Sequence, residues 1–324
     1  MSPEQVPSRR RFLTIAGAAL LAAPPLRSAR PGAALSPEEF RKRLRGPILS
    51  LPTVYTKDFK VDHQGVKNQI ELAAKAGVKV FTLTSGNNQY DRLTYQEVRD
   101  LTKVMVEAVA GRGATIAATG PWWTGQCEDY ARYASSLGAD CIQVQLNPNG
   151  GPHALFEHHR RIAKAAGTAA LGLHGEVPLP VLKQLVTIDQ ISAYKEEYSQ
   201  KYSMEVFQLY GKRLNIFAGG QKSRFLMYQP FGMQAYYSTF STFAPEIGMR
   251  FFDAAERGDL KAAQQIVMDY DVPFFMKWSH AFWRATLEHF GIAQRWLRPP
   301  ETSFTDAQMP DVKKFYEELG LRKA

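Results

Sequence analysis

Cysteine is scarce. The 324 residues hold two, Cys127 and Cys141, with no metal-ligand spacing between them. One stands where a helix opens and the other where a strand opens, so two separate thiols are expected. Past residue 34 no apolar run reaches the ~18–20 residues needed to span a bilayer. Lysine and arginine do not cluster with interleaved aromatics, which argues against a nucleic-acid surface. The chain carries no tandem repeat, no low-complexity segment, and no G-x-G-x-x-G after its first strand, which counts against an open doubly wound sheet binding a dinucleotide. Of the formal charge of +9, residues 1–34 contribute +4 through five arginines and Glu4. The mildly basic remainder supports no more than a modest preference for anionic small molecules.

The N-terminus is the clearest local signal. "SRRRFLTIAGAALLAAPP" has a basic start at Arg9–Arg10, an apolar stretch from Phe12 to Ala23, and small residues after it. It reads as a twin-arginine export signal over residues 1–34, removed between Ala23 and Ala34. No cysteine follows for lipid attachment, so a periplasmic or secreted product is expected.

From Gly46 on, β-rich runs alternate with amphipathic stretches. The runs are residues 47–55, 78–84, 114–120, 141–146, 169–174, 191–195, 214–219 and 232–239. In the stretches between them apolar residues recur three and four apart, with glycine near several ends. Eight strands, each followed by a helix, predict an α/β protein built as a (β/α)8 barrel over residues 35–243. Helical patterns such as "PFFMKWSHAFWRATLEHFGI" continue over 244–324 as a C-terminal extension.

One strand raises a chemical question. "ISAYKEEYS" alternates like a core strand and then meets Lys195. Burying an unpaired ammonium costs several kcal/mol or drives off its proton. Lys195 therefore either snorkels outward beside Glu196 and Glu197 or is kept near neutrality for chemistry.

Four segments together resemble the dihydrodipicolinate synthase / N-acetylneuraminate lyase family. "ISAYKEEYS" is similar to that family's V-G-I-K-(E/D) strand, and "GMQAYYSTFSTFAPEI" (232–247) to its eighth-strand block ending in N-x-x-P. "HHRRIAKAAG" (158–167) resembles its H-f-x-x-I-A helix, and "FGIAQRWLRPP" (290–300) its R-P-P tail. The resemblance runs from about Gly46 to the C-terminus. It implies a barrel in which Lys195 forms a Schiff base with a 2-keto acid, without a cofactor or metal, in a homodimer or homotetramer.

The departures bear on mechanism. The family's G-T-T-G-E loop, which holds the keto-acid carboxylate, falls on Ser85, Gly86, Asn87, Asn88 and Gln89. Glycine permits close backbone approach there, and turn N–H groups bind anions, so Ser85, Gly86 and Asn87 form a candidate carboxylate cradle. A polar turn ending a strand is the plain alternative. Where the family has a Tyr-Asn pair, "LGLHGE" puts Leu173 and His174; an imidazole with a pKa near 6.5 could carry the proton transfers of the absent tyrosine. Tyr237 is a second hydroxyl source. Strand alternation lets only one of Tyr236 and Tyr237 face inward, and it turns Glu196 away from Lys195. Gly219 leaves room for substrate after strand seven. Trp122 and Trp123, after strand three, either stack on a sugar-derived chain or plug the gap between barrel and helix.

These readings point to an exported lyase, synthase or dehydratase acting on pyruvate or a 2-keto-3-deoxy sugar acid. The alternative from another class is a non-catalytic keto-acid or sugar-acid binding protein on the same barrel. A metal-dependent isomerase barrel lacks the strand-end carboxylates that such sites need.

Overall fold

The computed structural model describes residues 13–14, 34–146 and 150–322. Eight parallel strands close into a barrel in chain order. They are β1 (Gly46–Ser50), β2 (Val80–Leu83), β3 (Ala114–Ala118), β4 (Cys141–Gln145), β5 (Ala170–His174), β6 (Ile191–Glu196), β7 (Asn215–Ala218) and β8 (Ala235–Tyr237). The regular strands are shorter than the apolar runs that announce them. β1 stops at Ser50, and the rest of "PILSLPTVY" becomes the loop that leads to the next helix. A two-residue parallel ladder also joins Leu13–Thr14 to Leu321–Arg322. The twin-arginine pair lies outside the described residues.

Side-chain alternation divides the apolar core in two. Inward residues Ile48, Val80, Ile116, Cys141, Ala193, Phe217 and Tyr237 fill the barrel, while a larger cluster lies between strands and helices. Cys127 lies within the helix Thr124–Ser136 and Cys141 begins β4; both are free and buried.

The lower interior is lined by Ala114, Ala170, Ala193 and Ala235, too small to fill it. A short helix, α1 (Pro37–Arg43), supplies the missing volume. Its Phe40, with Leu44 just after it, has no exposure and packs among those alanines. Asn215 Nδ2 donates to the carbonyls of Arg41 at 2.9 Å and Leu44 at 2.8 Å, fixing the plug. Asp140 accepts from the Leu35 N–H at 3.0 Å and from Thr115 N at 2.8 Å. Ser36 and Glu39 form a reciprocal capping box at the start of α1. The S-x-x-E spacing of Ser36 and Glu39 marks this helix start in the sequence itself.

The outer helices follow the strands: α2 (His63–Lys75), α3 (Tyr95–Val109), α4 (Thr124–Ser136), α5 (Pro152–Ala166), α6 (Leu179–Leu185), α7 (Gln200–Tyr210), α8 (Gln221–Tyr228) and α9 (Pro245–Glu256). The Tyr236 hydroxyl, facing outward, donates to the Gly248 carbonyl of α9 at 2.8 Å. The ring of helices thus takes in Pro245–Glu256, which the sequence reading placed in the extension. Beyond it come α10 (Leu260–Ile266), a π-helical turn (Val267–Asp271), α11 (Val272–Lys277), α12 (His280–His289) and α13 (Met309–Glu318). "PFFMKWSHAFW" is two helices, broken at Trp278 and restarted by the Ser279 cap. Phe274, Phe282 and Trp283 are buried within the chain, leaving Phe275, Met276 and Trp278 exposed. Among the described residues no helix is long and apolar enough to cross a membrane.

Two buried or half-buried ion pairs seat the extension on the barrel. Lys222 Nζ of α8 reaches Asp271 Oδ1 at 2.5 Å, and Arg298 pairs with Glu97 at 2.6 Å. The arginine of the R-P-P tail is therefore a docking residue for the first turn of α3. Truncating the plug, Phe40→Ala, is expected to cost about 3–5 kcal/mol, since neighbouring alanines cannot collapse into the space. Denaturant unfolding measures it; a loss below ~1 kcal/mol would show that the plug is dispensable.

Candidate active site

β5 and β6 pair in register so that His174 lies opposite Lys195, both at the C-terminal end of the barrel. The C-terminal mouth is where barrel strands deliver functional side chains. Lys195 faces inward with 7% exposure. Glu196 points the other way: fully buried, it binds Arg224 Nε at 2.6 Å and accepts from Ser203. Alternation thus removes Glu196 from the lysine, as the sequence pattern implied.

The next residue restores a carboxylate. Glu197 lies beyond the end of β6, free of strict alternation, and its carboxylate folds back to Lys195 Nζ at 3.0 Å. His174 Nε2 lies 2.6 Å from Glu197 Oε1 and 3.1 Å from Lys195 Nζ. Amine, imidazole and carboxylate are mutually in contact. Sequence reasoning named Glu197 only as a neighbour of a surface lysine. The signal that could have found it is positional, since the second residue after an inward strand end can face inward again.

Gly219 makes this packing possible. A Cβ there would come within 2.3 Å of Glu197 Oε2 and 2.8 Å of Lys195 Cε. The absent side chain serves the triad itself, rather than only leaving space for a ligand.

The electrostatics follow from burial and contact. Burial lowers the Lys195 pKa, and the adjacent Glu197 charge opposes this without cancelling it. Burial also lowers His174, against the pull of its bond to Glu197. For Glu197, burial pushes upward, but the His174 bond and the Lys195 charge prevail and bring it to about 2. With Glu197 ionised and His174 neutral, the tautomer that fits is Nε2–H donating to Glu197. An ammonium would then set two donors 3.1 Å apart. Desolvation favours the amine, which keeps an N–H for Glu197, while the charge of that carboxylate opposes it.

Tyr237 faces inward and Tyr236 outward, as alternation requires. Tyr237 presents its ring to the lysine, with Nζ 4.9 Å from the centroid. Its hydroxyl points across the barrel to Gln143 Oε1 at 3.2 Å, and burial pushes its pKa upward. It forms a wall beside Lys195, while His174 and Glu197 make the polar contacts. Gln143, unnoticed in the sequence, keeps a buried Nε2 with no partner among the described residues.

The Ser85–Gln89 loop stands on the same mouth. Asn87 Nδ2 donates to Ser50 Oγ, at the end of β1, at 2.7 Å. Asn88 is turned inward to the fold, accepting from Thr84 N at 2.7 Å. A Cβ on Gly86 would meet nothing within 4 Å, so its surface is open to an incoming group. Trp122 lies between Tyr90, Tyr95 and Tyr130, with ring centroids 5.2–5.8 Å away, and Trp123 is 71% exposed. Trp122 thus takes the plugging role and not that of a sugar platform.

The family model described as "Dihydrodipicolinate synthetase family" matches residues 43–319. The chain belongs to that family. With this comes the enzyme type, a lyase or synthase. A probable 5-dehydro-4-deoxyglucarate dehydratase 2 of Streptomyces avermitilis is 27% identical over 249 residues, 72% of this chain and 74% of the relative. A 4-hydroxy-tetrahydrodipicolinate synthase of Psychrobacter arcticus is 25% identical over 71% of this chain and 79% of its own. The fold matches N-acetylneuraminate lyase from Fusobacterium nucleatum with a TM-score of 0.77 at 15% identity, covering 86% of this chain and 99% of that one.

Because Glu197 holds the Lys195 pKa up against burial, Glu197→Gln should let the amine titrate at lower pH. Reductive methylation of Lys195, followed by mass spectrometry across pH, measures its midpoint. An unchanged or raised midpoint would contradict the assigned electrostatics.

Proposed function

We propose that this protein forms a Schiff base between Lys195 and pyruvate or a 2-keto-3-deoxy sugar acid, and acts as a lyase, synthase or dehydratase. The observation that carries this reading is the buried amine of Lys195 in contact with both His174 and Glu197. An amine at its ordinary pKa of ~10.4 would be neutral in about one molecule in 10³ at pH 7. Burial lowers the Lys195 pKa and so raises that fraction.

The neutral amine adds to the C2 carbonyl, and the carbinolamine loses water to give an iminium ion. That cation acidifies the C3–H bond. Glu197, or His174 through it, removes the proton and leaves an enamine. In a dehydratase the enamine expels the C4 hydroxyl, which departs as water with a proton from His174. In a synthase it attacks an aldehyde carbon instead. Water then hydrolyses the imine and returns the amine. Ser85, Gly86 and Asn87 hold the C1 carboxylate in this scheme, and Tyr237 flanks the imine. The dehydratase named above supports a keto-sugar acid, and the synthase supports pyruvate. No added cofactor is required.

A non-catalytic keto-acid binding protein is the competing reading, and the triad speaks against it. Mere binding needs no amine poised between an imidazole and a carboxylate. Borohydride reduction with pyruvate or a 2-keto-3-deoxy sugar acid is expected to leave a covalent adduct on Lys195, absent in Lys195→Ala. His174→Ala should retain the adduct and lose about 10²–10⁴ in turnover, the scale of general acid–base catalysis. A panel of such acids that yields no adduct would overturn the aldolase reading in favour of the binding protein.

Residues 1–34 support export by the twin-arginine route to the periplasm or beyond. The exposed Phe275, Met276 and Trp278 support a homodimer or homotetramer. Protein recovered from the periplasm should begin near residue 34 and scatter light as an oligomer, and Arg9→Lys with Arg10→Lys should block its export. An intact N-terminus or export of the double variant would refute the first, and a monomeric mass the second.

A further inference from the structure

Four basic side chains are buried among the described residues: Lys195, Lys222, Arg284 and Arg295. Three rest on carboxylates, of Glu197, of Asp271, and of Glu288 with Asp306. Arg284, with no exposure at all, has no carboxylate oxygen within 4.0 Å among the described residues. Glu301 acts on it only at longer range and is itself engaged with His280.

The guanidinium enters from α12 beneath two loops of the barrel mouth. Its Nε donates to the Thr53 carbonyl at 2.9 Å, and its Nη2 to Gln89 Oε1 at 3.0 Å and the Asn87 carbonyl at 3.4 Å. Nη1 is buried without an acceptor among the described residues. Gln89 Nε2 meets His280 Nδ1 at 3.1 Å, so both ends of that amide are held by α12. The hold matters because Gln89 has φ of 52°, a left-handed conformation that a side chain other than glycine enters only at a cost.

Carbonyl dipoles solvate a buried cation but bring no net negative charge. Keeping a guanidinium in such a place costs several kcal/mol relative to a packed apolar side chain. The missing charge has a natural source on the other side of the loop. There, among the described residues, the N–H groups of Ser85 and Gly86 donate to no acceptor, and the surface over Gly86 is open.

We propose that Arg284 is a positioning residue whose counter-ion is the carboxylate of the bound substrate: it fixes Gln89 and sets an uncompensated positive charge behind Ser85–Asn87. This rests on the loop as the carboxylate cradle, and not on imine formation by Lys195.

The test uses lactate, which has the carboxylate but no ketone, and lactamide, which has neither, titrated calorimetrically into the full chain. Wild type and Lys195→Ala are both expected to prefer lactate. Arg284→Met should weaken lactate about ten- to a hundredfold, the scale of a charged hydrogen bond, and leave lactamide unchanged. Arg284→Lys should recover part of the preference, because it restores charge without the fork. A purely structural arginine would weaken acid and amide alike, and that outcome overturns the proposal. So does a wild type with no preference for the acid, or an Arg284→Met that keeps it. Should Arg284→Met not fold, Arg284→Gln gives the same comparison. If lactate is preferred and no keto acid is trapped on Lys195, the Schiff-base reading falls and the role of Arg284 stands.

Discussion

The proposed Schiff-base chemistry needs a primary amine dry enough to lose its proton and still reachable by a ketone. That demand organises the mouth of this barrel. Desolvation alone would meet it, but a lysine with no polar neighbour would have nothing to exchange protons with. The solution here is a carboxylate and an imidazole at hydrogen-bond distance, close enough to move protons and too weak together to restore the ordinary pKa. Gly219 follows from the same demand, since the carboxylate occupies the volume that a methyl group would take. So does Tyr237, whose ring closes one side of the amine without offering it an acceptor.

The barrel could be read from the sequence because its evidence is repeated. Eight apolar runs alternating with amphipathic stretches leave few other arrangements, and errors at individual boundaries do not change the count. Inward and outward residues were equally readable within the strands. Period two separates Lys195 from Glu196 and Tyr237 from Tyr236, and their contacts follow that separation. What escaped lay just outside regular structure. Glu197 is one residue past β6, so finding its return to the lysine meant carrying the period of two one residue beyond the strand. Gln143 was hidden for a different reason, as a polar residue in an apolar run that looked only like a strand. Arg284 was the least visible, because its partners are about two hundred residues away and include main-chain carbonyls, which leave no mark in a sequence.

Distance along the chain also explains why the extension is more than an appendage. α12 holds Gln89, and the tail that follows pairs with the capping glutamate of α3. Burial of Phe282 and Trp283 orients α12, and through it two of the loops that ring the mouth. The barrel supplies the reactive groups, while the shape of the loop facing them is set from outside it. In families built on one barrel, divergence in such a distant segment can retune the site without touching the strands.

The plug at the other end has a topological consequence. Leu35 is fastened to Asp140 beneath the barrel, and the same carboxylate holds Thr115 at the start of β3. Phe40 and Leu44 thus fill the end opposite Lys195. The barrel is a cup with a fitted base, so a change at the base acts on the stability of the whole and a change at the rim acts on what is bound.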